Sequence, residues 1–213
     1  MLSMRLIVVR HGETEENAKG IVQGHRHGKL SLKGKDQIKR LAKQLKNEKI
    51  DVIFSSDLRR AAATTKEIAR FHAVPVHHVR ELRERHMGIY QGKPYYVMNA
   101  AQSASGLHKA AYRPKDGETY SEVKRRLKRF LEGVYVKYPE KTVLLSTHGI
   151  AIRCILSSYL GIPLKASVGI STANAGFIIL EVKRSRARVL RDKLTGDSLG
   201  NAPPSPPSFR PKA

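Results

Sequence analysis

The chain has 213 residues, enough for one substantial α/β domain, and 40 Lys plus Arg against 18 Asp plus Glu give a formal net charge of +22. Its single cysteine, Cys154, excludes an intrachain disulfide, and no apolar run approaches the roughly 18–20 residues that cross a bilayer. The charge raises the expectation of an anionic partner: nucleic acid, a membrane surface or a phosphorylated small molecule. Because the apolar segment before Arg10 is too short for a secretory signal peptide, we expect a cytoplasmic location.

Short apolar runs alternate with amphipathic segments along the chain. Spacings of three and four residues, as in Ile38, Leu41 and Leu45, are typical of a helix with one apolar face. Strands are predicted at 4–9, 51–56, 76–80, 142–147, 175–182 and 186–191, and helices at 31–46, 57–71, 121–134 and 149–159. This alternation predicts an α/β three-layer sandwich with a mainly parallel central sheet flanked by helices on both faces.

Two segments lie outside this pattern. Between residues 88 and 117 the periodicity is poor, and we expect a surface insertion with one helix. The ending "APPSPPSFRPKA" cannot form a regular helix or a central strand. We therefore predict a single domain over residues 1–200, followed by a Pro-rich disordered tail over residues 201–213.

Histidine, arginine and glycine cluster where predicted strands end. "RHG" (10–12) follows the first strand, "SSD" (55–57) the second and "THG" (147–149) the fourth, with Arg59 and Arg60 shortly after the second. Because ligand sites in open α/β sheets form at the carboxyl ends of strands, two imidazoles and at least two guanidiniums are expected together. The helix N-termini that follow add N–H donors. The pattern predicts an anion site suited to a phosphoryl group.

These residue types suit phosphoryl transfer. A neutral histidine can attack phosphorus when a hydrogen bond holds its other ring nitrogen, while arginines and a second, protonated histidine hold the phosphoryl oxygens. Departure of the alcohol needs a proton donor, and "ELRERHMGIYQGK" offers Glu81 and Glu84 after the third strand. Four other histidines lack a ligand set at useful spacing, so we expect no metal: His25, His27, His77 and His78.

An ordered set of motifs gives the site a family context. The chain contains, in order, "VRHGETEEN", "VQG", "LSLKG", "SSDLRRAAATT", "LRERHMGIYQG", "DGETYSEVKRR" and "LLSTHGIAIR". This series resembles the histidine phosphatase superfamily, which includes the cofactor-dependent phosphoglycerate mutases, and it covers the chain from Met4 to about Val182. One departure is "QGHRHGKLS" in place of the usual "QGxxDxPLT"; it makes that loop more basic and bears on substrate preference.

The resemblance implies a role for each matching residue. The pattern Ser-x-x-Leu-x-Arg-Ala selects Arg60 rather than Arg59 as a phosphate ligand. The implied catalytic set is His11 as nucleophile, Arg10 and Arg60 as phosphoryl ligands, Glu84 as proton donor and then base, and His148 as a transition-state stabiliser. The predicted substrate-binding residues are Asn17, Gln23, Gly24 and Gly149.

Within this family a phosphohistidine is discharged either to water or to a second hydroxyl. Ile150 stands where phosphoglycerate mutases have Asn, Tyr95 aligns with their Lys, and residues 88–117 are too few for their arginine-bearing insertion. We therefore predict a phosphatase that acts on small phosphomonoesters, such as sugar phosphates, without a metal or another cofactor. The alternatives are a mutase, which would need a bisphosphoglycerate primer, and a catalytically inactive nucleic-acid-associated protein. We expect no membrane partner and no nucleic acid, and either a monomer or a homodimer.

Overall fold

The computed structural model describes residues 2–184 and 186–195. The strands are β1 Met4–Arg10, β2 Val52–Ser56, β3 Val76–Val79, β4 Thr142–Thr147, β5 Phe177–Lys183 and β6 Arg186–Lys193. The helices are α1 Glu15–Ala18, α2 Leu32–Leu45, α3 Arg59–Ala69, α4 Tyr95–Ala104, α5 Tyr120–Lys137, α6 Gly149–Tyr159 and α7 Leu164–Ser167, with 3₁₀ turns at Arg80–Leu82 and Gly88–Tyr90. The tail predicted over residues 201–213 lies outside the described residues.

The six strands form one mixed sheet in the order β3-β2-β4-β1-β5-β6. The pairs β3–β2, β2–β4 and β4–β1 are parallel, whereas β5 and β6 join as antiparallel strands. In the centre, Ile7 of β1 lies opposite Leu144 of β4 on one side and Ile179 of β5 on the other. The predicted α/β architecture with a mainly parallel central sheet is confirmed.

Alternate residues of β1 pack against helices on opposite faces of this sheet. Ile7 and Val9 belong to a buried cluster with Leu41 and Leu45 of α2 and Ile68 of α3. The neighbouring residues of β1 point to the opposite face of the sheet. There they belong to a second buried cluster with the helices of that face. That second cluster contains Leu6 and Val8 with Val123, Leu127 and Leu131 of α5 and Ile152 and Ile155 of α6. A strand buried on both faces reads as a continuous apolar run, as the sequence of β1 does.

The helix ends follow from local capping. The Thr119 side chain accepts from the backbone N–H of Glu122, whose carboxylate accepts in turn from the backbone N–H of Thr119, so α5 begins with a capping box. The Ser31 hydroxyl likewise accepts from the Gly34 backbone N–H at the start of α2. The four-residue helices α1 and α7 were not predicted, because one turn is too short to show a helical period.

The segment predicted as a surface insertion, residues 88–117, contains α4 and lies over the carboxyl ends of the strands. The segment begins at Gly88, where the backbone turns with φ +53°. A Cβ at this position would lie only 1.8 Å from the Lys115 carbonyl oxygen, so the turn requires glycine. A small apolar cluster under the segment joins Val22, Met87 and Tyr90. The segment therefore forms one wall of a cavity as well as a surface.

No helix in the described part of the chain is both long enough and apolar enough to cross a membrane. The buried thiol of Cys154 lies in α6, and burial raises its pKa to about 12, which leaves it protonated and unreactive near neutral pH.

Candidate active site

A cavity of ≈ 390 Å³ opens at the carboxyl ends of the parallel strands. His11 follows β1 and His148 follows β4, and their ring centroids are 5.1 Å apart. The two strands are direct neighbours in the sheet, which is why the two His-Gly pairs meet although they are far apart in sequence. Eight of the predicted residues line the cavity, and His148 lies behind them in contact with Arg60; the eight are Arg10, His11, Asn17, Gln23, Gly24, Arg60, Glu84 and Gly149.

His11 is buried, with 3% of its surface exposed, and its tautomer is set by the backbone. The Nδ1–H donates to the Gly12 carbonyl oxygen at 2.7 Å, since a carbonyl oxygen can only accept. Burial, followed by the positive charges of Arg60 and Arg10, holds the pKa of His11 well below its usual value. The ring is therefore neutral, and the electron pair of its Nε2, which accepts from Arg60 Nε at 3.2 Å, is the candidate for attack on phosphorus.

His148 is neutral for the same physical reasons. Its Nδ1 accepts from Arg60 Nε at 3.2 Å, and its Nε2–H donates to the Ser56 hydroxyl at 2.8 Å. Burial first, then the charge of Arg60, lowers the pKa of His148 well below its usual value. His148 is therefore neutral in this structure, and its protonated form stays a prediction for the site with a bound phosphoryl dianion, whose negative charge raises the pKa of a neighbouring imidazole.

Arg60, at the start of α3, lies between the two imidazoles and is 1% exposed. Its Nε also lies 3.2 Å from His11 Nε2. Its Nη groups donate to the carbonyl oxygens of Gly24 at 2.8 Å and Arg26 at 2.6 Å. Burial lowers the pKa of Arg60 to about 10, so the guanidinium still has its charge at neutral pH. Arg60 thus links both histidines to residues 24–27.

Arg10, at the end of β1, presents an unsatisfied donor to the cavity. Its Nη1 donates to the Thr172 carbonyl, while its buried Nε has no hydrogen-bond partner among the described residues. A Cβ added at Gly149 would lie 3.6 Å from this Nε, so the glycine leaves room for a ligand atom there. A buried N–H without an acceptor costs about 1–3 kcal/mol, and a phosphoryl oxygen would satisfy it.

The structure distinguishes between the two candidate proton donors. Glu84 lines the cavity; its Oε1 accepts from the Arg85 backbone N–H at 2.9 Å and its Oε2 from the Ile150 backbone N–H at 3.3 Å. Glu81 is exposed and does not line the cavity. Only Glu84 is placed to exchange a proton with a group bound beside the histidines.

The predicted substrate-binding residues lie at the mouth of the same cavity. Asn17 Oδ1 accepts from Asn174 Nδ2 at 3.3 Å and from the Thr14 backbone N–H at 3.2 Å, which leaves the Asn17 amide N–H groups as donors. Gln23 is buried, and its Oε1 has no partner among the described residues. Both side chains therefore have hydrogen-bonding capacity left for a ligand.

Several cavity residues were not predicted from the sequence. They are Arg85, Met87, Tyr95, Met98, Asn99, Gln102, Lys109, Tyr112, Tyr120, Ile150, Arg153, Val168 and Thr172. One of them had a usable signal: Arg153 lies four residues after Gly149 in α6, so helical spacing places both on one face. Tyr95 and Ile150 were identified from the sequence only as departures from the mutases, and the other residues from 88–117 had no signal because that segment lacks periodicity.

Across residues 2–184 and 186–195, no group of three or more His, Cys, Asp or Glu side chains is placed to hold a metal ion. The histidines considered for metal have other contacts. His25 donates from Nε2 to the Glu84 carbonyl oxygen at 2.8 Å, and His77 stacks on Phe54 with centroids 5.2 Å apart.

Known proteins resemble this chain along most of its length. A family model described as the histidine phosphatase superfamily (branch 1) matches residues 6–194. Phosphoserine phosphatase 1 of Hydrogenobacter thermophilus is 30% identical over 198 residues, covering 90% of this chain and 93% of its own length. Phosphoglycerate mutase-like protein 4 of Arabidopsis thaliana is 35% identical over 163 residues, covering 70% and 68%. A solved mycobacterial glucosyl-3-phosphoglycerate phosphatase superposes with a TM-score of 0.81 at 26% identity, covering 90% of this chain and 99% of its own.

Proposed function

The chain belongs to the histidine phosphatase superfamily and is a phosphoric monoester hydrolase of that group, and from this premise we propose that it hydrolyses small phosphomonoesters through a phosphohistidine on His11. The observation that supports this most directly is the tautomer of His11. Its Nδ1–H is committed to the Gly12 carbonyl, and its neutral Nε2 faces the cavity in which Arg10 and Arg60 lie. Sugar phosphates and related metabolites are the proposed substrates.

The first half-reaction transfers the phosphoryl group to the protein. The electron pair of His11 Nε2 forms a bond to phosphorus while the P–O bond of the ester breaks, and its electron pair goes to the departing oxygen. Glu84, in its protonated form, gives that oxygen a proton and becomes a carboxylate. Arg10 and Arg60 donate to the oxygens of the transferred group, over which its charge is spread, and His148 becomes a further donor when the bound dianion holds it in its protonated form.

The second half-reaction restores the free enzyme. The Glu84 carboxylate takes a proton from water as the water oxygen bonds to phosphorus, and the N–P bond breaks with its electron pair returning to His11 Nε2. Inorganic phosphate leaves, and Glu84 is again protonated for the next turnover. The backbone N–H groups of Arg85 and Ile150 hold the Glu84 carboxylate in place for this step.

Phosphoglycerate mutase is the second candidate, because relatives such as the Arabidopsis protein are named as mutase-like. Ile150 and Tyr95 line the cavity at the two positions where the mutase resemblance calls for Asn and Lys. An apolar side chain and a phenol at these positions remove polar contacts that would retain phosphoglycerate through two transfers. Hydrolysis is therefore favoured, and a bisphosphoglycerate primer belongs only to the mutase alternative.

The test compares His11→Ala with His78→Ala, an exposed histidine on β3, using p-nitrophenyl phosphate. His11→Ala should release no phosphate, because no other side chain replaces the nucleophile, whereas His78→Ala should retain wild-type turnover. Wild-type protein quenched with alkali during turnover of a ³²P-labelled ester should contain an alkali-stable label that later acid treatment removes and that His11→Ala lacks. EDTA should leave wild-type turnover unchanged.

Undiminished turnover in His11→Ala would contradict the nucleophile assignment. Supplying 3-phosphoglycerate distinguishes the two candidate functions. Isomerisation to 2-phosphoglycerate that outpaces phosphate release would support the mutase, whereas phosphate release without isomerisation would support the phosphatase.

A further inference from the structure

Thr64 is a buried residue of α3 that has no part in the chemistry proposed above. It lies one turn after Arg60, none of its surface is exposed, and it does not line the cavity. A threonine inside a helix commonly donates its hydroxyl to the carbonyl oxygen four residues earlier, and Thr64 does so to Arg60 at 2.8 Å. Its second contact is not local: Oγ1 also accepts from the backbone N–H of Gly12 at 3.2 Å, across 52 residues of sequence. The hydroxyl therefore joins α3 to the loop that follows β1.

This contact fixes the peptide group between His11 and Gly12. The Gly12 N–H lies beyond the last residue of β1, and the Thr64 hydroxyl is its acceptor. At the other end of the same peptide group, the His11 carbonyl oxygen accepts from the Ala175 backbone N–H at 3.0 Å and from Asn174 Nδ2 at 3.2 Å. Because the N–H and the carbonyl of this peptide group are both bound, its plane cannot rotate without breaking a hydrogen bond.

Helix α2 restricts Gly12 as well. A Cβ at Gly12 would lie 2.6 Å from Ile38 Cγ2 and 2.7 Å from the Gly34 carbonyl oxygen, both of which belong to α2. The loop after β1 thus contacts two helices at this one residue, α2 by close packing and α3 by the hydrogen bond to Thr64. Loss of the Thr64 hydroxyl would leave only the packing against α2.

The two nitrogens of the His11 ring are in contact with the same two residues that Thr64 contacts. The Nδ1–H donates to the Gly12 carbonyl oxygen at 2.7 Å, and Nε2 accepts from Arg60 Nε at 3.2 Å. Thr64 binds the backbone N–H of Gly12 and the backbone carbonyl of Arg60. The contacts therefore form a closed circuit that runs from Thr64 through Gly12, His11 and Arg60 back to Thr64.

We propose that Thr64 is a positioning residue for the nucleophile: its hydroxyl holds the His11–Gly12 peptide group and so fixes the direction in which His11 Nε2 faces phosphorus. Thr64 acts through Gly12 and Arg60 and touches no reacting atom. A displacement of about 1 Å between reacting groups can cost about 10²-fold in rate, so a buried hydroxyl outside the cavity can influence the chemical step. This inference rests on the proposed function, because it concerns the proposed nucleophile.

The kinetic test uses Thr64→Val, which replaces the hydroxyl with a methyl group of similar volume, in single-turnover phosphorylation by aryl phosphates. The maximal rate constant should fall by about 10–10²-fold. Good and poor leaving groups should be slowed alike, because the attacking atom rather than the departing oxygen is affected. The substrate concentration that gives half the maximal rate should change little, since Arg10 and Arg60 remain in the cavity.

Two further variants are the controls. Thr64→Ser retains the hydroxyl and should recover most of the rate. Thr65→Val removes the hydroxyl of the next residue, which is also buried in α3 but donates to Ser55 Oγ at 2.9 Å, outside the cavity. It should phosphorylate at the wild-type rate.

A wild-type rate constant in Thr64→Val, or an equal loss in Thr65→Val or in Thr64→Ser, would overturn the proposal. If the valine variant does not fold, Thr64→Cys takes its place. A thiol is a weak hydrogen-bonding group, so an intermediate loss of rate is expected there, and an unchanged rate overturns the proposal.

A measurement that needs no turnover separates this result from a failure of the proposed function. In protein labelled with ¹⁵N-histidine, the His11 Nδ1–H signal is assigned by its absence from His11→Ala. Its exchange with water should be about tenfold or more faster in Thr64→Val than in wild type or Thr65→Val, because the Gly12 carbonyl is held less firmly. If wild type hydrolyses no ester but this difference is present, Thr64 positions His11 and the hydrolase function fails. Equal exchange in the three proteins overturns the positioning role, whatever their activity.

Discussion

A single N–H group of Arg60 lies 3.2 Å from both His11 Nε2 and His148 Nδ1. The His11 Nδ1–H donates to the Gly12 carbonyl oxygen, and the His148 Nε2–H donates to the Ser56 hydroxyl. Arg60 donates to the remaining nitrogen of each ring, so its contact favours the same two tautomers. It also adds a positive charge beside two buried imidazoles, which favours their neutral forms. The residue proposed to bind the phosphoryl group therefore also favours the neutral form of the proposed nucleophile.

Glu84 is the proposed proton donor. Its replacement should therefore slow the reaction of esters with poor leaving groups more than that of esters with good ones. In Glu84→Gln, single-turnover phosphorylation by phenyl phosphate should slow by about 10²–10⁴-fold, because phenolate needs a proton to leave. Phosphorylation by 2,4-dinitrophenyl phosphate should change little, since that leaving group is stable without a proton. Rapid-quench measurement of the released phenols checks this. Glu81→Gln, at the exposed neighbouring carboxylate, is the matched control; equal slowing of both substrates would show that the acid is another group.

Residues 24–27 contact both Arg60 and Glu84, the proposed phosphoryl ligand and the proposed proton donor. Their backbone carbonyls bind Arg60, whereas the His25 ring donates to the carbonyl oxygen of Glu84 at 2.8 Å. Arg126 of α5 donates to the same oxygen at 2.9 Å, and its Nε pairs with Glu118 at 3.0 Å. Two donors from different elements thus hold the backbone of Glu84, the proposed proton donor, in place.

We expect His25 to act as a positioning residue. In His25→Ala the backbone of Glu84 loses one of its two donors, so esters with poor leaving groups should lose more of their kcat than esters with good ones. His27→Ala is the matched control, because His27 is exposed and contributes its carbonyl, not its ring, to the contact with Arg60. The measurement is kcat for a series of aryl phosphates of graded leaving-group acidity. An unchanged slope of log kcat against leaving-group pKa would contradict the role, even if the protein is less stable.

Over the whole molecule, the charge of +22 is spread around the surface. Helices α2 and α5 cover opposite faces of the sheet, and both have outward-facing cations; these include Lys35, Lys39, Arg40 and Lys43 on α2 and Arg125, Lys128 and Arg129 on α5. Their main physical effect is mutual repulsion within the folded protein.

Screening of this repulsion should stabilise the fold. Raising NaCl from about 0.02 M to about 0.2 M shortens the Debye length to below about 10 Å and should raise Tm by a few degrees. Thermal unfolding followed by circular dichroism measures the shift. Sucrose at matched osmolality is the control, because it screens no charge. A Tm that falls with salt would mean that attractive ion pairs outweigh the repulsion.

Much of this architecture follows from local physical chemistry in the sequence. The continuous apolar runs of β1 and β4 predicted strands buried on both faces, and the apolar spacing of about 3.6 residues predicted one buried face each on α2 and α5. The catalytic candidates were found for a related reason: Arg10, His11 and His148 come directly where parallel strands end, and those ends lie at one edge of the sheet.

The sequence by itself determined the alternation of strands and helices, the family motifs and the candidate nucleophile, since each is a matter of residue type and short spacing. Only the tertiary structure decided the rest. The neutral state of His148 depends on burial and on a guanidinium brought from α3. Arg153 and Lys109 line one cavity because α6 and the segment after α4 both border it. Contacts between distant elements leave no periodic signal, so no spacing in the chain records them.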